Sequence, residues 1–213
     1  MSIEAIVEEK QYTVREFQPE DLLSIIEVYQ KAFAGEPWNE YRICKACYTE
    51  YSKEEFMDAV NKNQCKSCLE PLNTEEYWKP EDIIKNLNDT LSKKEGIVYV
   101  AENGQGVVGF VWGSPGYPDN REENLGDIIR PESFYLKEIA VSADCQDKGV
   151  GSTLAKAFVD EVKERGYNGT YLRTNLNNHP AIHIFHKVGY RSTSLRDVGK
   201  KDCFYMIQGD CYV

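Results

Sequence analysis

The sequence predicts a mixed α/β fold of the α+β kind, one central sheet covered by helices, and three observations carry that reading. GIVYVAEN and VVGFVWGSP are apolar runs separated by the turn signal ENGQG, which makes them an antiparallel hairpin. From Phe134 onward the pattern alternates strand, helix, strand, helix, strand. Two helices begin with proline and acids and then place apolar residues at helical spacing, as in PEDLLSIIEVYQKAF.

The elements follow in order. YTVREF (12–17) alternates as a strand, and PEDLLSIIEVYQKAF (19–33) is the first helix. Regular patterning breaks over 35–77, which contains two CxxC pairs and one short helix, SKEEFMDAVNKN. KPEDIIKNLNDTLSKKEG is a further helix, followed by the hairpin. A loop rich in Gly, Pro and acids (114–133) leads to the strand FYLKEIAVSA. GSTLAKAFVDEVKERG is helical, TYLRTN a strand, HPAIHIFHKVG a helix and CFYMIQ the last strand. The expectation is a single domain over 1–213 with an inserted element at 35–77.

Composition narrows the partners. Thirty-five acidic residues against 25 basic ones give a net charge of −10, which argues against nucleic acid as a partner. No run approaches the roughly 18 apolar residues of a membrane span, and MSIEAIVEEK lacks the parts of a signal peptide. The expectations are a cytoplasmic protein, no membrane association, and a monomer or homodimer.

Cys44-x2-Cys47 and Cys65-x2-Cys68 stand 17 residues apart. In a reducing compartment this spacing reads as a tetrahedral four-thiolate zinc site, because each CxxC turn aims two thiolates at one ion. Four protein ligands leave no position for water, so the zinc is read as structural. Iron suits the same four thiolates. Cys145, Cys203 and Cys211 are read as small hydrophobes.

The stretch QDKGVG, between a strand and a helix, is suited to an anion. Several amides are unpaired at a helix start, the dipole favours negative charge, and glycines allow close approach. It is neither a Walker loop nor a GxGxxG fingerprint.

Its surroundings, LKEIAVSADCQDKGVGSTLAKAFVDEVKERG and then LRTNLNNHPAIHIFHKVGY, closely resemble the GNAT superfamily of acyl-CoA-dependent N-acyltransferases. The motif Q/R-x-x-G-x-G/A is matched by Gln146, Gly149 and Gly151, and the later signature by Asn178, Ala181, Lys187, Gly189 and Tyr190. The resemblance implies a mixed, mostly antiparallel sheet of six to seven strands flanked by about four helices, here with a small zinc-ribbon-like insertion. It implies acetyl-CoA, its pyrophosphate held by backbone amides of Gln146, Asp147, Lys148, Gly149, Val150, Gly151 and Ser152. Pantetheine would pair along Ile139, Ala140 and Val141, with Asn178 nearby.

The reaction implied is acetyl transfer to a primary amine, of a small molecule or a protein. Glu138 is the candidate general base, sharing a strand face with Ala140. An amide near Ile139 or Val141 would polarise the carbonyl. Many members carry a tyrosine acid in the penultimate helix where this chain has Phe185, so the acid role passes to His183, His186, another tyrosine or water. The same departure suggests an alternative: a catalytically weak acyl-CoA-binding regulator whose zinc element docks a protein. His179, His183 and His186 share helical spacing, but Pro180 is expected at the first helical position, leaving His179 outside. Trp38, Tyr41 and Tyr51 beside the first CxxC, with Asp119, Glu122, Glu123 and Asp127 in the loop, have two readings: they receive a cationic amine, or the aromatics pack the small zinc module and the acids form a solvated loop.

Overall fold

The computed structural model describes residues 12–116, 125, 128–130 and 132–211. Chain order among them is β1 (Thr13–Glu16), α1 (Leu22–Phe33), β2 (Arg42–Cys44), β3 (Glu50–Tyr51), α2 (Lys53–Lys62), β4 (Thr74–Glu76), α3 (Pro80–Leu91), β5 (Ile97–Asn103) and β6 (Gly106–Pro115). Then follow β7 (Phe134–Val141), α4 (Val150–Glu164), β8 (Gly169–Asn175), α5 (His179–Lys187), β9 (Arg191–Arg196) and β10 (Cys203–Gly209).

Seven strands form one sheet in the order β1-β5-β6-β7-β8-β10-β9, antiparallel everywhere except between β7 and β8. That is the mixed, mostly antiparallel sheet the sequence predicts. The seventh strand, β9, has the sequence RSTSLR and lies at the sheet edge with mostly exposed side chains, so it carries no apolar alternation to announce it.

Each face is covered because each helix has one apolar stripe. Ile25, Ile26, Tyr29 and Phe33 of α1, with Ile83 and Leu87 of α3, bury against Phe110 and Trp112 of β6. Leu154, Phe158 and Val162 of α4 pack on the other face against Leu136, Leu172 and Met206, joined there by Phe185 of α5. Full burial of one such side chain contributes about 1.5–3 kcal/mol.

Strand β7 is bulged. Trp112 pairs with Glu138 and Gly113 with Leu136, so Lys137 is an extra residue on β7. Alternation alone would put Leu136 on the same face as Glu138; the bulge instead turns Leu136 to the α4 core and Glu138 to α1 and α3. Gly113 makes this possible, since a Cβ there would stand 2.1 Å from Tyr135 O and 2.7 Å from Phe158 Cζ.

Between α1 and α3 the chain builds a second, three-stranded sheet in the order β3-β2-β4, with α2 beside it. Helix α2 starts with a capping box between Ser52 and Glu55 and ends at Asn63 in the left-handed conformation. No helix among the described residues is long and apolar enough to cross a membrane.

Candidate active site

The predicted anion loop is built at the start of α4. Gly149 caps the helix with φ +80°, and Asp147 is also left-handed at φ 59°. The first amides of a helix have no intrahelical acceptor, and the first one answered here is Thr153, by Gly149 O at 3.0 Å. Tyr12 pins the turn: its hydroxyl lies 2.9 Å from Thr153 Oγ1, which in turn donates to Gly149 O at 3.1 Å. Gln146, Asp147, Gly149, Val150, Gly151 and Ser152 line a cleft of about 830 Å³ together with Ile139, Ala140, Val141 and Asn178. Lys148 is exposed and takes no part in this lining.

That cleft runs into a gap between strands. The parallel pairing of β7 with β8 ends at Leu136 and Leu172, although β7 continues to Val141 and β8 to Asn175. Ser142 N–H donates to Val108 O on the β6 side at 2.8 Å. Backbone groups alternate along a strand, so the N–H and C=O of Val141 and Ile139 are turned the other way, into the gap. Val141 O accepts there from Gln146 Nε2 at 3.3 Å.

A second cleft, of about 980 Å³, opens on the α1 and α3 face, and Glu138 lines it. The two clefts share Phe33, Trp38, Ile139, Asn178, Ala181 and Phe185. They meet at the gap in the sheet. Glu138 Oε1 accepts from the Tyr29 hydroxyl at 3.2 Å and from Asn86 Nδ2 at 3.4 Å. Its other oxygen has no hydrogen-bond partner among the described residues. Burial pushes the Glu138 carboxyl up to about 7, against the opposing pull of hydrogen bonds from Asn86 and Tyr29 and the charges of Arg173 and Lys137. A carboxyl poised there can exchange protons near neutral pH. Burial first, and then the Glu138 charge, hold Tyr29 in its protonated form well above pH 10.

Phe185 is buried against Tyr190, with ring centroids 5.7 Å apart, and has no proton to give. His183 lines the first cleft, whereas His186 turns its ring to Tyr190 O and Ser192 Oγ, outside both. Helix α5 begins one residue earlier than expected: Asn178 is the cap and His179 is inside the helix. Proline is tolerated within the first helical turn, so Pro180 did not have to come first.

The four paired cysteines converge. Their Sγ atoms all lie within 4.8 Å of one another, with Cys44 to Cys68 at 4.0 Å and Cys47 to Cys65 at 3.6 Å. A tetrahedron of thiolates around zinc has edges of about 3.8 Å for a bond of roughly 2.3 Å, and a disulfide needs about 2.05 Å. The thiols are free. The donor set therefore fits a closed four-sulfur metal site. Each CxxC turn is closed alike: Tyr48 and Leu69, the residues after the second cysteine, are left-handed, and their amides bond Cys44 O and Cys65 O. Tyr51 donates its hydroxyl to Cys65 Sγ at 3.0 Å.

A sequence model described as the acetyltransferase (GNAT) family matches residues 47–190. The chain belongs to the GNAT acetyltransferase family. It is 24% identical over 113 residues to a probable N-acetyltransferase, camello, of Xenopus laevis, an alignment over 53% of this chain and 47% of that relative. The chain thus spans about half the length of that curated relative. Among solved structures, the PaiA N-acetyltransferase of Thermoplasma acidophilum in complex with coenzyme A aligns over 93% of this chain and 98% of its own, with 16% identity and a TM-score of 0.57. A putative acetyltransferase of Salmonella typhimurium with its cofactor acetyl-CoA aligns over 93% and 94%, with 16% identity and a TM-score of 0.57. These likenesses are of fold.

On this GNAT frame the sequence-based expectations divide. The loop, Ile139–Val141 and Asn178 come together around one cleft and Glu138 enters the other. Of the aromatics beside the first CxxC, only Trp38 lines a cleft; Tyr51 is buried on Cys65 and Tyr41 packs edge-on against Phe56. The tyrosines went to the cysteine element because its own apolar residues are few. Asp119, Glu122, Glu123 and Asp127 lie outside the described residues. Tyr29, Asn86, Trp78 and Arg173 were missed. Each is embedded in an ordinary helix, strand or turn, and no local signal marks residues that meet Glu138 or its cleft from far along the chain.

Proposed function

We propose that the chain transfers the acetyl group of acetyl-CoA to a primary amine by direct attack within a ternary complex. One observation carries the reading: a cleft floored by the amide-rich loop and a cleft holding Glu138 meet at Ile139, where the sheet parts. Pyrophosphate binds the amides of 146–152, whose donors are main-chain groups that an acidic protein can still offer. Pantetheine pairs with the outward backbone of Ile139 and Val141 beside Asn178, and one of those amides polarises the thioester carbonyl.

The amine enters by the second cleft. Its nitrogen lone pair adds to the thioester carbon, the carbon–sulfur bond breaks, and the bonding pair leaves on sulfur. The amine proton passes to Glu138 directly or through water, and water protonates the thiolate. Thiols titrate near 8.5, so the missing tyrosine costs little. CoA and acetyl-CoA in the two structural neighbours support this assignment of the first cleft.

Segment 35–77, in this proposal, is an inserted element held by structural Zn2+ on Cys44, Cys47, Cys65 and Cys68. The four thiolates complete the coordination, so the ion acts on shape and not on the thioester. A reducing compartment such as the cytoplasm would keep these thiols available to the metal.

Free CoA followed over time, with acetyl-CoA offered alongside pools of amines, tests the reading. Release dependent on one amine class is expected. Binding of acetyl-CoA without release from any pool would replace it with the regulator reading, which the absence of a hydroxyl at Phe185 favours. Gly149→Val is expected to weaken acetyl-CoA binding about tenfold by calorimetry, since φ +80° is strained for a β-branched residue and the added group meets Tyr12 Oη at 3.3 Å. Unchanged affinity would remove the loop from the cofactor site.

A further inference from the structure

The acceptor cleft contains a cation that the proposed reaction does not use. Arg173 projects from β8, two residues beyond Tyr171, so it shares the sheet face on which Tyr171 packs against Tyr135 at 4.9 Å. It lines the same cleft as Glu138, from the strand that parts from β7 at Leu136. Carboxylate and guanidinium thus flank the gap from its two sides, close enough for the Arg173 charge to pull on the Glu138 proton.

Arg173 is incompletely engaged. Its Nη1 donates to Asp197 Oδ2, while Asp197 Oδ1 accepts the amides of Gly199 and Lys200. Asp197 is therefore already well satisfied by the turn it closes. The Nη2 and Nε donors of Arg173 have no partner among the described residues. A guanidinium fork with free donors in a cleft matches a planar carboxylate in two-point contact. The cationic-acceptor expectation does not account for this group, since a guanidinium offers donors only and gives an ammonium nothing to bond.

We infer that the acceptor is an amine that also carries a carboxylate, an amino acid in the broad sense, with Arg173 reading the carboxylate while the amine faces Glu138. This rests on the acetyl-transfer reading and gives it a substrate class. Recognition of the carboxylate by Arg173 also fixes the amine on the Glu138 side of the gap, where attack on the thioester takes place.

The test uses the full chain, metal-replete and saturated with acetyl-CoA. The twenty proteinogenic amino acids are offered each beside its carboxamide, with thiol release and calorimetric binding to the CoA-loaded protein both recorded. Expected is a preference of at least tenfold in KM for one or more acids over their amides. Arg173→Met should raise KM for the acid about 30-fold and bring the acid-to-amide ratio near one. Arg173→Lys, which keeps the charge and loses the fork, should fall between. Amides accepted as well as acids, or a ratio unchanged in Arg173→Met, would overturn the inference, the second outcome leaving Arg173 only the anchor of the Asp197 turn. Binding that prefers acids without any thiol release would sustain Arg173 as the carboxylate reader and defeat acetyl transfer. Release from amines regardless of a carboxylate would do the reverse.

Discussion

Glu138→Gln lowers kcat by about 10²- to 10³-fold while acetyl-CoA affinity stays within about twofold, because general-base catalysis supplies a factor of that order and Glu138 lines only the acceptor cleft. The wild-type kcat/KM, expressed per unprotonated amine, rises with pH and levels off above a midpoint near 7, where the carboxyl loses its proton. The glutamine variant lacks that limb. An unchanged profile would assign the base elsewhere.

The same substitution acts on stability with a sign that follows from the shift. Glu138 is raised from 4.5 to about 7 in the folded chain, so between those values the folded state holds a proton that the unfolded state has released. Stability from this site is fully present below 4.5 and is lost as pH climbs through 7, where a charge must be kept in a largely desolvated place. Glutamine never carries that charge and still accepts from Tyr29 and Asn86. Glu138→Gln is therefore expected to stabilise the protein at pH 8 by on the order of 2 kcal/mol and by much less at pH 5, read as Cm in urea at the two pH values. A variant that is less active and yet more stable in alkali separates a catalytic carboxylate from a structural one.

Removal of the metal, by chelation or by Cys65→Ser, is expected to unfold the cysteine element and raise acceptor KM at least tenfold, with acetyl-CoA affinity changing less than threefold. The element has little else to hold it: its buried residues are Cys44, Tyr51, Ala59 and Cys65, with Phe56 and Leu72 at their edge. Structural zinc supplies folding free energy directly in such small units. The loss reaches the acceptor cleft through Glu40, within the element, and Trp78, the residue that follows it. Trp78 Nε1 donates to Glu40 Oε2 at 2.8 Å, Lys200 Nζ donates to Glu40 Oε1 at 2.7 Å, and the Trp78 ring stands edge-on to Tyr29 at 5.2 Å. Glu40, Trp78 and Lys200 all line that cleft. Metal analysis of the purified protein should return one zinc per chain; one iron would change the ion and keep the role. Loss of the ion with acceptor KM unchanged would sever the element from the site.

What could be read in the sequence was what is decided locally. The anion loop needs glycines at a helix start, and QDKGVG has them; each CxxC turn is complete within a few residues; the hairpin carries its own turn. What could not be read depends on distant partners. The bulge at Lys137 is fixed by Gly113 on the neighbouring strand, and it decides which way Leu136 faces. Tyr29 and Asn86 meet Glu138 across 109 and 52 residues of chain. Strands β2, β3 and β4 span only two or three residues each, too few for any alternation to show. Of the two readings open for Tyr51, acceptor contact or packing of the cysteine module, the structure takes the second, and its hydroxyl is spent on the Cys65 sulfur.

The path of the chain around the cysteine element has a consequence for how this protein can change. Arg42 pairs with Glu76, and the Tyr77 amide bonds Tyr41 O, so the segment departs and returns through the same doorway. Closing a detour between adjoining ends costs more as it lengthens, but only by about 0.6 kcal/mol for each doubling. None of its strands belongs to the seven-stranded sheet. Exchange of residues 42–76 for a longer or shorter cassette is therefore expected to leave the seven-stranded sheet in place. A two-residue turn in their place would yield a minimal scaffold into which other acceptor walls could be grafted.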